Sequence, residues 1–304
     1  MPGPRGGRCN VSTLRSTAFT RDSHACRNVA KAPSPWGRSG RCPASRALQS
    51  MKNTEPLTLE DCIFGALTNH FLTTLYSEAR YVESLRNKAP NEKVLREMLL
   101  EFRVWRTLGE TGKSRILPEL LDVSRELQHN LSGSLAAKDS WAVAFERTSL
   151  WGQPMKGSNR YKSFASGLTK ALWFSGGHRS PLFDTFTCRA LRIAQHDRAS
   201  QAKAFYQIHE DHEFEELRKQ LQLHLDSSCK GWEPIAERLI DKALLIRGVE
   251  ATKYSATRFH YRSTLKGYRD TFGAGLGFST LARELVQLIR KSKYAPILEN
   301  EDKS

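Results

Sequence analysis

Two residues carry the chemistry that this sequence most clearly offers. Lys170 lies in Ser166-Gly167-Leu168-Thr169-Lys170-Ala171-Leu172-Trp173-Phe174. Asp184, fourteen residues on, lies in Pro181-Leu182-Phe183-Asp184-Thr185-Phe186-Thr187-Cys188-Arg189-Ala190-Leu191-Arg192. Gly167 permits a tight turn, Thr169 and Lys170 start an apolar helix, and Asp184 reads as the N-cap of a second helix. Two helix starts would then face one region, each presenting free N–H groups suited to phosphate, one with an amine and one with a carboxylate. The plain alternative leaves Asp184 as a cap only and Lys170 as a surface lysine.

This pair of segments resembles the helix-hairpin-helix DNA glycosylase superfamily, in particular its 8-oxoguanine-glycosylase-like branch. There a hairpin of the form G-V-G-x-K-x-A precedes an apolar helix, and P-V-D-x-H-V-x-R follows. The resemblance implies that Lys170 takes the place of the catalytic lysine and Asp184 that of the catalytic aspartate, with no cofactor. The sequence departs from the pattern in keeping one hairpin glycine, in a shorter lysine-to-aspartate separation, in Phe186 where the family has histidine, and in lacking the cysteine quartet of the iron–sulfur members. The implied chemistry suits the residue types. A fixed carboxylate stabilises the oxocarbenium charge that develops as an N-glycosidic bond breaks, or activates the attacking nucleophile. A lysine attacks the sugar C1′ only as a free amine, so its pKa must fall from about 10.4 toward 7 to 8. A Schiff base then forms, and strand cleavage by β-elimination can follow.

An enzyme of this kind must flip its base out of the duplex into a pocket lined by aromatic and apolar groups. Trp173, Phe186, Trp105 and Trp151 are the candidate walls, with Trp141 a further one. Between Lys253 and Arg269 there are five basic residues and no acid. Arg258, Arg262, Lys266 and Arg269 fall on one helical face beside Tyr254, Tyr261 and Tyr268, a pattern that reads equally as phosphate contact with stacking or as a solvated face beside core. Arg160, Lys162 and Lys156 before the hairpin, Gly167 and Thr169 within it, and Arg189 after it complete the candidate DNA contacts. Gly273 to Gly277 follows no strand and is no nucleotide loop. His209 and His212 sit among Glu210, Asp211, Glu213, Glu215 and Glu216 and read as an acidic solvated helix start, so no metal is expected.

The elements that must position these groups are helical. Thr58 and Asp61 form a capping box opening a helix through Phe64, Leu67, Phe71 and Leu75. Apolar spacing predicts further helices over 91–108, 114–128, 136–150, 168–175 and 184–195. Charged helices follow at 199–208, 212–226 and 232–247, and the last lies at 279–293. Strand alternation is absent, which predicts an all-α domain.

The chain has 304 residues and a net charge of +15, from 47 Lys and Arg against 32 Asp and Glu. No apolar run approaches the roughly 18 residues of a membrane span. With 14 Phe, 6 Trp and 8 Tyr the chain can build a core. Residues 1–50 hold nine basic residues and one acid, a net +8, which leaves +7 for the other 254. Rich in Pro and Gly and without apolar periodicity, this leader is expected to be disordered, with Met51 as the true start, residues 51–298 as the glycosylase-like domain and 299–304 as a disordered tail. Cys62, Cys188 and Cys229 are too widely spaced for a zinc or iron–sulfur site, which fits a reduced intracellular compartment, and the resemblance, which extends to prokaryotic members, implies a cytoplasmic, prokaryotic setting. The expected partner is double-stranded DNA with a modified base, bound by a monomer away from any membrane. Antiviral defence against phage with hypermodified bases such as glucosylated hydroxymethylcytosine and repair of 8-oxoguanine by a bifunctional glycosylase/lyase are both open. A catalytically inactive helical DNA-binding module is the reading from another class.

Overall fold

The computed structural model describes residues 9–10, 56–86, 92–130, 138–157, 162–175, 181–194, 197–230, 232–252, 255–272 and 276–299. The described part is all-α apart from a two-residue parallel pairing of Cys9–Asn10 with Cys229–Lys230 and a single antiparallel bridge between Leu108 and Gly152. Those two residues of the leader are placed; the rest of 1–50, Met51, and residues 300–304 lie outside the described residues. Glu299 was expected in the tail, but it ends the last helix and pairs with Arg290 at 2.5 Å. Among the described residues no helix is long and apolar enough to cross a membrane.

The first helix, α1 (Leu59–Thr73), starts at the predicted capping box. Thr58 Oγ1 accepts from the Asp61 N–H at 3.1 Å, and Asp61 accepts from the Thr58 N–H at 2.8 Å. A π-helical turn, Thr74–Glu78, joins it to α2 (Ala79–Arg86). Then come α3 (Glu92–Glu101), α4 (Glu110–Asn130), α5 (Lys138–Arg147), α6 (Ala165–Ser175) and α7 (Thr185–Ala190). The last six are α8 (Arg198–His209), α9 (His212–Ser228), α10 (Ala236–Glu250), α11 (Ser255–Phe272), α12 (Phe278–Arg290) and α13 (Ala295–Glu299). The helix expected over 184–195 stops after six residues. Arg192 takes a left-handed conformation (φ 55°), and the Ile193 N–H bonds back to Cys188 O at 2.9 Å, a closure that usually falls to glycine.

Helix α10 is the axis of the fold. It packs chiefly against α1 and α7, with α9 and α11 on its flanks. It is buried on all sides although it carries Glu237, Arg238, Asp241, Lys242 and Arg247. A helix of that composition is stable inside only if every charge has a partner. Arg218 meets Glu237 at 2.5 Å, and Arg247 donates to the carbonyl oxygens of Leu57 (2.9 Å) and Glu299, tying both ends of the domain to its centre.

Gly248 lets α7 lie directly on this axis. A Cβ there would stand 1.9 Å from the carbonyl oxygen of Phe186. Gly248→Ala should therefore cost about 1–3 kcal/mol in urea unfolding, because backbone must move to admit the methyl group. Gly267, on α11 with nothing within 4 Å of a built Cβ, is the control. There the change to Ala should stabilise the protein by up to about 1 kcal/mol.

Candidate active site

Helix α6 starts at Ala165, four residues before the predicted start at Thr169. Gly167 is thus already helical and buried; its missing side chain makes room for the Phe164 ring, which a Cβ would meet at 2.2 Å. Gly167 serves packing here and forms no turn. Lys170 lies in the second turn of α6, and not at the helix N-terminus. Its side chain is 6% exposed and Nζ donates to Ser166 Oγ at 2.7 Å and Ser166 O at 3.3 Å. The surface-lysine alternative is therefore excluded by its burial.

Asp184 caps α7 as the sequence predicts. Oδ1 accepts from the N–H groups of Phe186 (2.7 Å) and Thr187 (2.9 Å), while Thr187 Oγ1 accepts from the Asp184 N–H at 3.0 Å. The amides that were expected to face phosphate are thus occupied by the carboxylate itself. The segment leading to Asp184 is anchored from behind. Thr169 Oγ1 donates to Phe183 O at 3.1 Å, and Tyr206 donates to Pro181 O at 3.1 Å. Thr169 is fully buried, so it bolts the lysine helix to the aspartate segment and offers nothing to DNA.

The buried Lys170 feels the charge of the half-buried Asp184 and of residues that spacing alone did not single out. Burial holds the Lys170 amine below the usual lysine range; the charges of Asp184 and Asp241 oppose that shift and Arg238 adds to it. The Phe102 ring faces both cations, its centroid 5.7 Å from Lys170 Nζ and 5.7 Å from the Arg238 guanidinium. Arg238 reaches Glu78 through Nε and Nη2 (shortest 2.6 Å) and Asp241 through Nη1. Lys242 reaches Glu78 at 3.2 Å, Asn69 at 2.6 Å and Thr73 at 3.0 Å. Burial pushes the Asp241 carboxyl up to about 6 despite Arg238. Glu78 stays well below the carboxylate range because Arg238 and Lys242 outweigh its burial.

The expected pocket walls divide. Trp173 and Trp151 are core residues, Trp151 packed on Phe164 at 5.8 Å and Trp173 set 5.9 Å from the Arg238 guanidinium; Trp141 is also core, stacked on Tyr206 at 4.6 Å. Phe186 and Trp105 are half-buried, the first beside Asp184 and under Arg189 at 5.7 Å, the second under Arg96 at 5.2 Å. The aromatic ring over the lysine is Phe102, which is not among the expected walls.

The basic helix α11 forms where predicted, but half of its expected face is already neutralised. Arg262 pairs with Glu250 at 2.6 Å and Arg269 with Asp61. Tyr261 and Tyr268 pack against the core, which settles their stripe as packing, and Tyr254 lies outside the described residues. Arg258 is half-buried and Lys266 exposed. Lys162 is exposed and donates to Gln153 Oε1 at 3.1 Å, Lys156 is exposed, and Arg160 lies outside the described residues. His209 is buried 3.2 Å from Glu237 while His212 is exposed, so the two do not converge; among the described residues no cluster of three or more His, Cys, Asp and Glu could hold a metal.

Removing one member of the buried ion cluster leaves its partners unpaired, so Glu78→Gln should destabilise the protein by about 3–5 kcal/mol. The sign with pH follows from the depressed Glu78 value. Its contribution is complete above the ordinary carboxylate range and fades as pH falls through the lower folded value, because the unfolded chain takes up the proton first. Unfolding measured from pH 7 to 3 should show the wild-type advantage over Glu78→Gln shrinking toward the acid end. Comparison with known proteins finds no matching family model, no similar curated protein and no similar solved structure.

Proposed function

We propose that this protein is a DNA N-glycosylase of the helix-hairpin-helix type that removes a modified base from duplex DNA and acts as a monomer. The observation that carries this reading is a buried Lys170, held by Ser166 and close enough to the half-buried Asp184 to feel its charge, where burial favours the neutral amine. The Lys170 amine attacks C1′ of the flipped nucleotide, the N-glycosidic bond breaks, and its electron pair leaves with the base, which takes up a proton. Asp184 offers Oδ2 to the positive charge that builds on the sugar, since both backbone N–H bonds fall on Oδ1. The nitrogen then loses a proton and its electron pair forms C=N as the C1′–O4′ ring bond breaks, with O4′ taking up a proton. From this Schiff base, loss of a C2′ proton expels the 3′ phosphate and cuts the strand by β-elimination.

The resemblance carried by the Lys170 and Asp184 segments admits two substrates, a hypermodified base of phage DNA, with antiviral defence as the role, and 8-oxoguanine, with repair as the role. Incubating the protein with unmodified, 8-oxoguanine and glucosylated-hydroxymethylcytosine DNA and scoring alkali-labile sites tests the reading. Abasic sites should form on one modified substrate, and on the glucosylated one if the defence role holds. DNA binding without abasic sites on any of them would leave only a binding module.

On the active substrate, Asp184→Asn should lower excision at least about 100-fold while DNA binding persists. Borohydride should trap a covalent adduct in the wild type and in Lys162→Ala but not in Lys170→Ala. Undiminished excision by Asp184→Asn would remove the carboxylate from the mechanism.

A further inference from the structure

The Lys170 amine makes two polar contacts with a single residue, and that residue carries a hydroxyl. Ser166 precedes Lys170 by four positions on α6, so the two side chains share one face of the helix, one turn apart. Nζ stands 2.7 Å from Ser166 Oγ and 3.3 Å from Ser166 O. Elsewhere in the chain, helical hydroxyls turn back on their own helix. Ser124 donates to Leu120 O at 2.7 Å and Thr68 to Phe64 O at 3.0 Å. Ser166 lies in the first turn of α6, with no turn of that helix before it, and its hydroxyl meets the amine.

The two distances suit a neutral amine. Its lone pair takes the Ser166 O–H at 2.7 Å, and one of its own N–H groups remains for Ser166 O at 3.3 Å. Burial favours that neutral form, and the centre of the Phe102 ring lies 5.7 Å from Nζ. Lys170 is buried while Ser166 is half-buried, so the base is shielded and part of the serine stays open to solvent. A hydroxyl hydrogen-bonded to a desolvated lysine is the arrangement from which serine–lysine nucleophiles act.

We propose that Ser166 and Lys170 form a serine–lysine dyad that takes an acyl group from a carboxylic ester. This activity goes beyond base excision and draws on the same amine. Nζ takes the Oγ proton as Oγ bonds to the carbonyl carbon, and the carbonyl π pair moves onto its oxygen. That oxyanion forms beside the Ser166 N–H, one of the first-turn amides that a helix leaves without an internal acceptor. The pair then returns to carbon, the bond to the alcohol oxygen breaks, and the alkoxide leaves with the proton from Nζ. An ester suits the dyad because its alcohol needs only that one proton. Water releases the acyl group in the same way: it attacks the carbonyl carbon as its proton passes to Nζ, and Oγ leaves and takes that proton back.

The full chain is incubated with an alkyl fluorophosphonate, which phosphonylates an activated serine with loss of fluoride, and separately with p-nitrophenyl acetate. Peptide mass mapping should find the phosphonyl group on Ser166, and p-nitrophenolate should be released. Ser166→Ala should lose the adduct and slow the release, with its fold kept because alanine is a good helix former. Lys170→Arg should slow labelling at least about 100-fold, since a guanidinium accepts no proton. In the wild type the labelling rate should climb with pH as the amine loses its proton, with a midpoint below about 10.4. The Ser166→Ala arm and this pH profile decide the matter if Lys170→Arg does not fold. No adduct on Ser166, or labelling as fast in Lys170→Arg as in the wild type, would overturn the dyad. Labelling of Ser166 without excision of any base would keep the dyad and remove the glycosylase reading. Excision without labelling of Ser166 would do the reverse.

Discussion

Arg238 is 4% exposed at the centre of the fold, and its charge can stay there only while carboxylates hold it from two sides. Asp241 comes from one turn further along the same helix, but Glu78 comes from a different part of the chain. The π-helical turn Thr74–Glu78 inserts a residue between α1 and α2 and brings Glu78 to Arg238 and Lys242. Local irregularities of this kind cluster at functional sites, and here the irregularity is what makes the buried axis helix electrostatically possible.

The same cluster shapes the candidate chemistry. Lys170 and Arg238 both lie 5.7 Å from the centre of the Phe102 ring, so the Lys170 ammonium form has a like charge nearby and little water, opposed by Asp184 and Asp241. Thr169 and Gly248 hold the geometry: one bolts the lysine helix to the segment before Asp184, the other lets the short aspartate helix lie on α10. Lysine and aspartate are thereby positioned by core contacts, and precision at such a site comes from rigid supports.

Much of this was legible in the sequence, and what was not has physical causes. The all-helical class, the Thr58 capping box, the Asp184 cap and the helix over α11 followed from side-chain types and spacing. The buried charges of α10 did not, because a run such as Glu237 to Lys242 looks like a solvated face until partners 160 residues away are known. Glu78 was invisible for the same reason. Phe102 is not among the expected walls because its spacing with Leu95, Met98 and Leu99 is that of an ordinary apolar helix face. Gly167 misled in the opposite direction. It suggested a turn, whereas its smallness serves the Phe164 ring inside an established helix. The basic stripe overstated the free charge, since Glu250 and Asp61 reach it from other helices.

The pairing of a neutral amine with a fixed carboxylate is the core of the proposed mechanism, and the titration of one nitrogen tests it without any substrate. In protein labelled at lysine Nζ, with the Lys170 signal identified by its loss in Lys170→Arg, the pH at which that amine gives up its proton can be read by NMR. We expect a midpoint below the value of about 10.4 for an unperturbed lysine, moving lower still in Asp184→Asn. A midpoint at or above 10.4, unaffected by Asp184, would mean that Lys170 is an ordinary ammonium and that this site does not prepare a nucleophile.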